Sequence, residues 1–119
     1  MLNQRSLDRL KGVNTDLVEI ALRASNLSSV PFVVTEGIRT PQRQAELVAR
    51  GSSKTMASKH ITGRAIDVAA VVDGKVTWEW KYYAQIAIAF KKAAAELGIR
   101  LVWGGDWKYF KDGPHFELV

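Results

Sequence analysis

Apolar residues recur along this chain with two different periods, and each change of period marks a boundary between a helix and a strand. Leu17, Ile20, Ala21 and Ala24 share one face of a helix that starts after Asn14 or Thr15. Ahead of it a short helix covers about Gln4 to Lys11 and stops at Gly12. Pro31 to Glu36 is instead a β-branched run that ends at Gly37, the pattern of a strand leading into a turn, with Arg39 just beyond it. Thr40-Pro41 opens a third helix with a cap and a proline at its first position, and this helix runs to Gly51. Residues 51 to 59 are small, polar and aperiodic, and read as a loop.

Ala65 to Val72 has the apolarity of a buried strand, broken by the single carboxylate of Asp67 and ended by the turn Asp73-Gly74. Tyr83, Ile86, Ala87, Phe90, Ala94 and Leu97 are spaced for one buried face of a long helix over Trp80 to Leu97, stopped by Gly98. Arg100 to Trp103 and Phe116 to Val119 are brief strands, reached through Gly104-Gly105 and Asp112-Gly113-Pro114. Helices and strands mix without a βαβ rhythm, which predicts an α+β fold: a small, largely antiparallel sheet flanked by helices.

The length of 119 residues suits one domain over 1–119, and neither repeat nor linker divides it. No stretch approaches the roughly 20 apolar residues of a membrane span. The N-terminus turns polar at once, so no secretion signal is expected. A net charge of +5 favours polyanionic surroundings, among them anionic envelope polymers. The basic residues are dispersed and lack any motif for reading DNA or RNA, so nucleic acid is not an expected partner.

Cysteine is absent, so a transition metal would need histidine and carboxylate ligands. Only two histidines are present, and each sits in a stretch dense with functional groups. His60 precedes the strand that carries Asp67, and a cation is one of the few partners that removes the penalty of burying a lone carboxylate. His115 follows the turn Asp112-Gly113-Pro114. His60, Asp67 and His115 together compose the donor set of an open hydrolytic zinc site, in which water takes the remaining position. Such a site needs a proton carrier that stands near the metal without ligating it, and Asp112 is the candidate. Arg39, at the end of a strand, is suited to an oxyanion or a substrate carboxylate.

These residues resemble a known family, the M15 zinc peptidases of the Hedgehog/D-Ala-D-Ala peptidase fold, and within it the L-alanyl-D-glutamate endopeptidases found as phage endolysins. The likeness runs from about Phe32 to Leu118. It is carried by Glu36-Gly37-Ile38-Arg39-Thr40 with Gln44, by Ser58-Lys59-His60 through Asp67, by Trp103-Gly104-Gly105-Asp106-Trp107, and by Asp112-Gly113-Pro114-His115-Phe116-Glu117-Leu118. The resemblance implies zinc held by His60, Asp67 and His115, Asp112 as acid and base, Arg39 near the reacting carbonyl and Ser58 in contact with substrate. It implies cleavage of the L-Ala-D-Glu bond of peptidoglycan stem peptides. It also implies synthesis in a host cytoplasm and action on the cell wall after release; a monomer is expected.

Two features depart from the wider group. The chain is short, and residues 73 to 80 leave little room for the insertions of carboxypeptidase relatives. No separate wall-binding module is expected, so the basic surface is expected to supply attachment. The competing readings are a D-Ala-D-Ala carboxypeptidase or dipeptidase of the same fold, and a zinc-stabilised wall-binding module without catalysis.

Overall fold

The computed structural model describes residues 2–51, 58–109 and 111–119. Helices α1 (Gln4–Arg9), α2 (Thr15–Leu27), α3 (Pro41–Ala49) and α4 (Trp80–Leu97) alternate irregularly with strands β1 (Phe32–Glu36), β2 (Ala65–Val72), β3 (Lys75–Thr77), β4 (Leu101–Trp103) and β5 (His115–Leu118). Local chemistry explains most boundaries. The side chains of Asn3, Asn14 and Thr40 accept hydrogen bonds from Ser6, Asp16 and Arg43 backbone N–H groups, satisfying donors left over at the first turns of α1, α2 and α3. Gly98 closes α4 in the left-handed region at φ 71°.

The sheet runs in the order β1-β2-β5-β4, with every pairing antiparallel, as the mixed pattern of periods predicts. Alternation sorts its side chains. Phe32 and Val34 of β1, Ile66, Val68 and Ala70 of β2, and Phe116 and Leu118 of β5 join a core completed by Leu17, Ile20 and Ala24 of α2 and Ile86 and Phe90 of α4. The Phe90 ring stacks on Phe116 at 3.9 Å between centroids and meets Phe32 at 5.4 Å. Asp67, His115 and Glu117 occupy the alternate positions of β2 and β5, so the same pleat that buries the core lifts them to the other face.

Three details refine the expectation. Asp73-Gly74 ends β2 by folding the chain back as a hairpin, and β3 pairs Thr77 with Ala70 and Lys75 with Val72. Positive φ at Asp73 (54°) and Gly74 (76°) is the twist that two-residue hairpin loops favour, so the dipeptide signalled a partner strand as well as a stop. The Gly104–Asp106 segment is a 3-10 turn, and β5 begins one residue early, at His115. The expected loop over residues 51 to 59 falls largely outside the described residues. Among the described residues, no helix is long and apolar enough to cross a membrane.

Candidate metal centre

Strand register brings the first charged residues together. Asp67 pairs with Glu36 on one side and with His115 on the other, so a carboxylate at mid-sheet faces a histidine on the next strand. The register of β1 against β2 slips between Val34 and Glu36, an irregularity that re-aims the end of β1 beside the site.

His60 arrives from a tight turn. Its backbone carbonyl accepts from Arg39 N–H at 2.8 Å and from Gly63 N–H at 3.3 Å, and its own N–H donates to Ser58 Oγ at 3.2 Å. Its ring Nδ1–H donates to the Gly37 carbonyl at 2.9 Å, which leaves Nε2 as the lone-pair nitrogen, 3.4 Å from Asp67 Oδ1. The imidazole is 2% exposed, so this orientation is held on all sides. Gly37 is required by packing: a Cβ there would lie 2.0 Å from the Arg9 carbonyl oxygen at the end of α1.

His115 faces the same carboxylate from the opposite strand, with Nδ1 at 3.1 Å from Asp67 Oδ1. Its other nitrogen, Nε2, donates to Glu117 Oε1 at 2.8 Å. Glu117 is in turn held by Lys59 Nζ at 2.9 Å, and the same ammonium reaches the Leu118 carbonyl at 2.6 Å. The two imidazole rings meet edge to face at 5.1 Å. Ligand atoms of His60, Asp67 and His115 all lie within 4.8 Å of one another, which suits one divalent ion.

The donor chemistry passes the test for such an ion. Each histidine gives one ring N–H to a protein acceptor and turns the remaining nitrogen toward Asp67, the arrangement that fixes the tautomer of metal-binding imidazoles. Two imidazoles and a carboxylate, without thiolate, form the ligand set of zinc sites that keep a position open.

Electrostatics follow from this crowding. Burial works against ionising Asp67, but the adjoining His115 and His60 rings outweigh it and hold the carboxyl well below the usual carboxylate range. Burial also opposes the charged form of His115, yet Asp67 and Glu117 raise its pKa. Asp112 moves the other way from Asp67: burial and repulsion by Asp67 raise its pKa against the pull of His115, His60 and Arg39. A carboxyl raised in this way is suited to hold and release a proton.

Asp112 is placed by the turn before β5. Its N–H donates to the Gly104 carbonyl at 3.0 Å and its carbonyl accepts from His115 N–H at 3.2 Å. Gly104 fits tightly against it, since a Cβ there would lie 2.3 Å from the Asp112 carbonyl oxygen. The Arg39 side chain is 8% exposed and its fork is largely engaged: Nε and Nη2 donate to the two Glu36 oxygens at 2.7 Å, and Nη1 donates to Gln44 Oε1 at 2.6 Å. Nη2 also approaches Asp67 Oδ2 at 3.8 Å, so the guanidinium borders the candidate ligand set while Glu36 balances its charge. Burial lowers the Arg39 pKa, and Glu36 with Asp67 and Asp112 more than restores it.

The structure thus gathers His60, Asp67, His115, Asp112 and Arg39, with Ser58 supporting the His60 turn. Lys59 and Glu117 belong to the same assembly. Their signal in the sequence was adjacency alone, with Lys59 preceding one histidine and Glu117 two positions after the other. Asp106 points elsewhere and pairs with Lys91 at 2.6 Å.

Comparison with known proteins identifies the family. A family model described as phage L-alanyl-D-glutamate peptidase matches residues 1–119. The L-alanyl-D-glutamate peptidase of Escherichia phage T5 is 37% identical over an alignment that takes in 98% of this chain and 96% of the relative. A crystal structure of the Serratia marcescens L-Ala D-Glu endopeptidase ChiX superposes with a TM-score of 0.95 at 52% identity, covering 100% of this chain and 90% of the other. The vancomycin resistance D,D-pentapeptidase VanY, solved in complex with Zn(II), shares the fold at a TM-score of 0.59 and 19% identity, over 90% of this chain and 72% of its own. By sequence and by architecture, the chain belongs to the phage L-alanyl-D-glutamate peptidase family.

Proposed function

We propose that the chain hydrolyses the L-Ala-D-Glu bond of peptidoglycan stem peptides with zinc held by His60 Nε2, the Asp67 carboxylate and His115 Nδ1. The observation that carries this reading is the convergence of those three ligands within 4.8 Å beside a carboxyl, Asp112, whose pKa is raised. The activity for which the matching family is named supports the choice of bond.

Zinc, when bound there, would polarise the scissile carbonyl and bring the pKa of a coordinated water to about 7. The protein's own groups move the proton and hold the parts in place. Asp112 takes a proton from water as the new C–O bond forms at the L-Ala carbonyl carbon. It returns that proton to the D-Glu nitrogen as the C–N bond breaks, so one carboxyl serves as base and then as acid. Arg39, steadied by Glu36 and Gln44, borders Asp67 and offers positive charge where negative charge grows on the carbonyl oxygen. Ser58 lies at the turn beneath His60, and its contact with substrate is part of this proposal.

The net charge of +5 supports a further role for the surface in holding the anionic envelope. Synthesis in a host cytoplasm, release to the wall and monomeric action complete the reading as an endolysin. The test is digestion of defined muropeptides with mass spectrometry, with and without a chelator. New L-Ala C-termini and D-Glu N-termini that vanish on chelation are the expected result. Release of D-Ala alone would point to the carboxypeptidase reading, and undiminished cleavage in metal-free protein would refute the mechanism.

A further inference from the structure

The segment Trp103 to Trp107 builds a wall beside the metal ligands that the proton chemistry leaves unused. The Trp103 indole lies beneath Gly105, where a Cβ would sit 2.3 Å from its ring, and its N–H donates to the Gly113 carbonyl at 2.7 Å. The Gly104 backbone presses against the loop of Asp112, and a Cβ there would also lie 3.0 Å from His115 Cβ. The wall is therefore rigidly joined to the loop that carries the acid and a ligand. From it the half-buried Trp107 ring stands 5.0 Å from the His115 ring, tilted at 44°. Two residues on, Tyr109 is 71% exposed. Neither aromatic side chain takes part in the core cluster.

We propose that Trp107, extended by Tyr109, is a subsite for the N-acetylmuramyl sugar that bears the stem peptide, an inference that rests on the L-Ala-D-Glu reading of the site. In peptidoglycan the lactyl ether of muramic acid is amide-linked to the L-Ala nitrogen. The scissile carbonyl is then separated from the sugar ring by only the L-Ala and lactyl units, about 7 Å when extended. A sugar held that close must lie against whatever borders the metal ligands. One face of a pyranose is lined by C–H groups, and an indole covers such a face while the hydroxyls stay in water.

Strand order selects the side. Arg39 follows β1 at one edge of the sheet, and Trp107 follows β4 at the other, with Asp67 and His115 between them. The Arg39 side is filled by its pairing with Glu36 and Gln44 and faces the reacting carbonyl, and the aromatic side is left for the sugar. Binding energy gathered on the sugar would then be spent at the reacting bond, so it should appear in kcat/KM.

The experiment compares kcat/KM for two substrates of the zinc-loaded protein: the stem peptide with an acetylated N-terminus, and the same peptide on N-acetylmuramic acid. The wild type should favour the sugar-bearing substrate by about tenfold, the scale of stacking one ring. Trp107→Ala should bring that ratio close to one, with Trp107→Phe keeping part of it and Tyr109→Ala lowering it. If Trp107→Ala does not fold, the Phe variant and the exposed Tyr109→Ala carry the test. A wild-type ratio near one, or a ratio unchanged in all these variants, overturns the subsite while leaving the peptidase reading intact. A wild type that cuts neither substrate overturns both.

Discussion

Glu117 Oε1 lies 2.8 Å from His115 Nε2, and Lys59 Nζ holds the same carboxylate from the other side at 2.9 Å. The pairing fixes which ring nitrogen of His115 remains for a metal. Glu117→Ala should therefore weaken zinc binding by about 10–100-fold, and Glu117→Gln by less, since the amide oxygen can still accept the ring proton. Competition against a chromophoric chelator measures this. An affinity within twofold of wild type in Glu117→Ala would show that the carboxylate serves only Lys59.

Zinc bound as proposed would displace the proton that His115 Nδ1 shares with Asp67, and that proton is held more tightly than in a free imidazole. Zinc affinity should fall as pH drops through the raised His115 pKa. Metal-free protein should behave in the opposite sense. Its folded-state pKa for His115 lies above the unfolded value, so this stabilisation is full below about 6.5 and is lost as pH rises through the folded pKa. Asp67, held low, contributes above about 3.9 and loses its contribution only as pH falls through its folded pKa. Thermal melts of chelated protein from pH 6 to 8 should show Tm declining, while the Tm gain on adding zinc grows. A zinc increment independent of pH would contradict the assignment.

Asp112→Asn keeps the shape of the loop and removes the proposed proton carrier. Turnover should fall by on the order of 10²–10⁴-fold with zinc affinity within a few-fold of wild type. Retention of full activity would mean that another group moves the proton, and simultaneous loss of zinc would make Asp112 a ligand.

Gly37→Ala forces a Cβ to within 2.0 Å of the Arg9 carbonyl oxygen and 3.0 Å of Val13 Cγ2. Backbone must shift, at a cost of about 1–3 kcal/mol. The Gly37 carbonyl that accepts from His60 moves with it, so calorimetry and zinc titration should both respond. By contrast, a Cβ at Gly74 meets open space, and its cost is that of the positive φ alone, about 1 kcal/mol, with zinc affinity untouched. Equal zinc affinity in the two variants would dissociate Gly37 from the site.

Much of this protein is written locally. The period of Leu17, Ile20, Ala21 and Ala24, the caps at Asn14 and Thr40, and the stop at Gly98 each depend on neighbours within a turn, so α2, α3 and α4 were legible from the chain alone. The set of His60, Asp67 and His115 was legible because cysteine is absent and histidine scarce, and because the surrounding motifs resemble a known family. Tertiary structure alone decided the rest. Whether Arg39 faces substrate freely or is braced by Glu36 and Gln44 depends on how β1 and α3 meet. Whether Glu117 grips His115, and Trp107 stands against it, depends on strand pairing and on the fold of the wall. Periodicity reports which face a side chain takes, but the nearest group on a distant segment is set by register and packing, which no local pattern encodes.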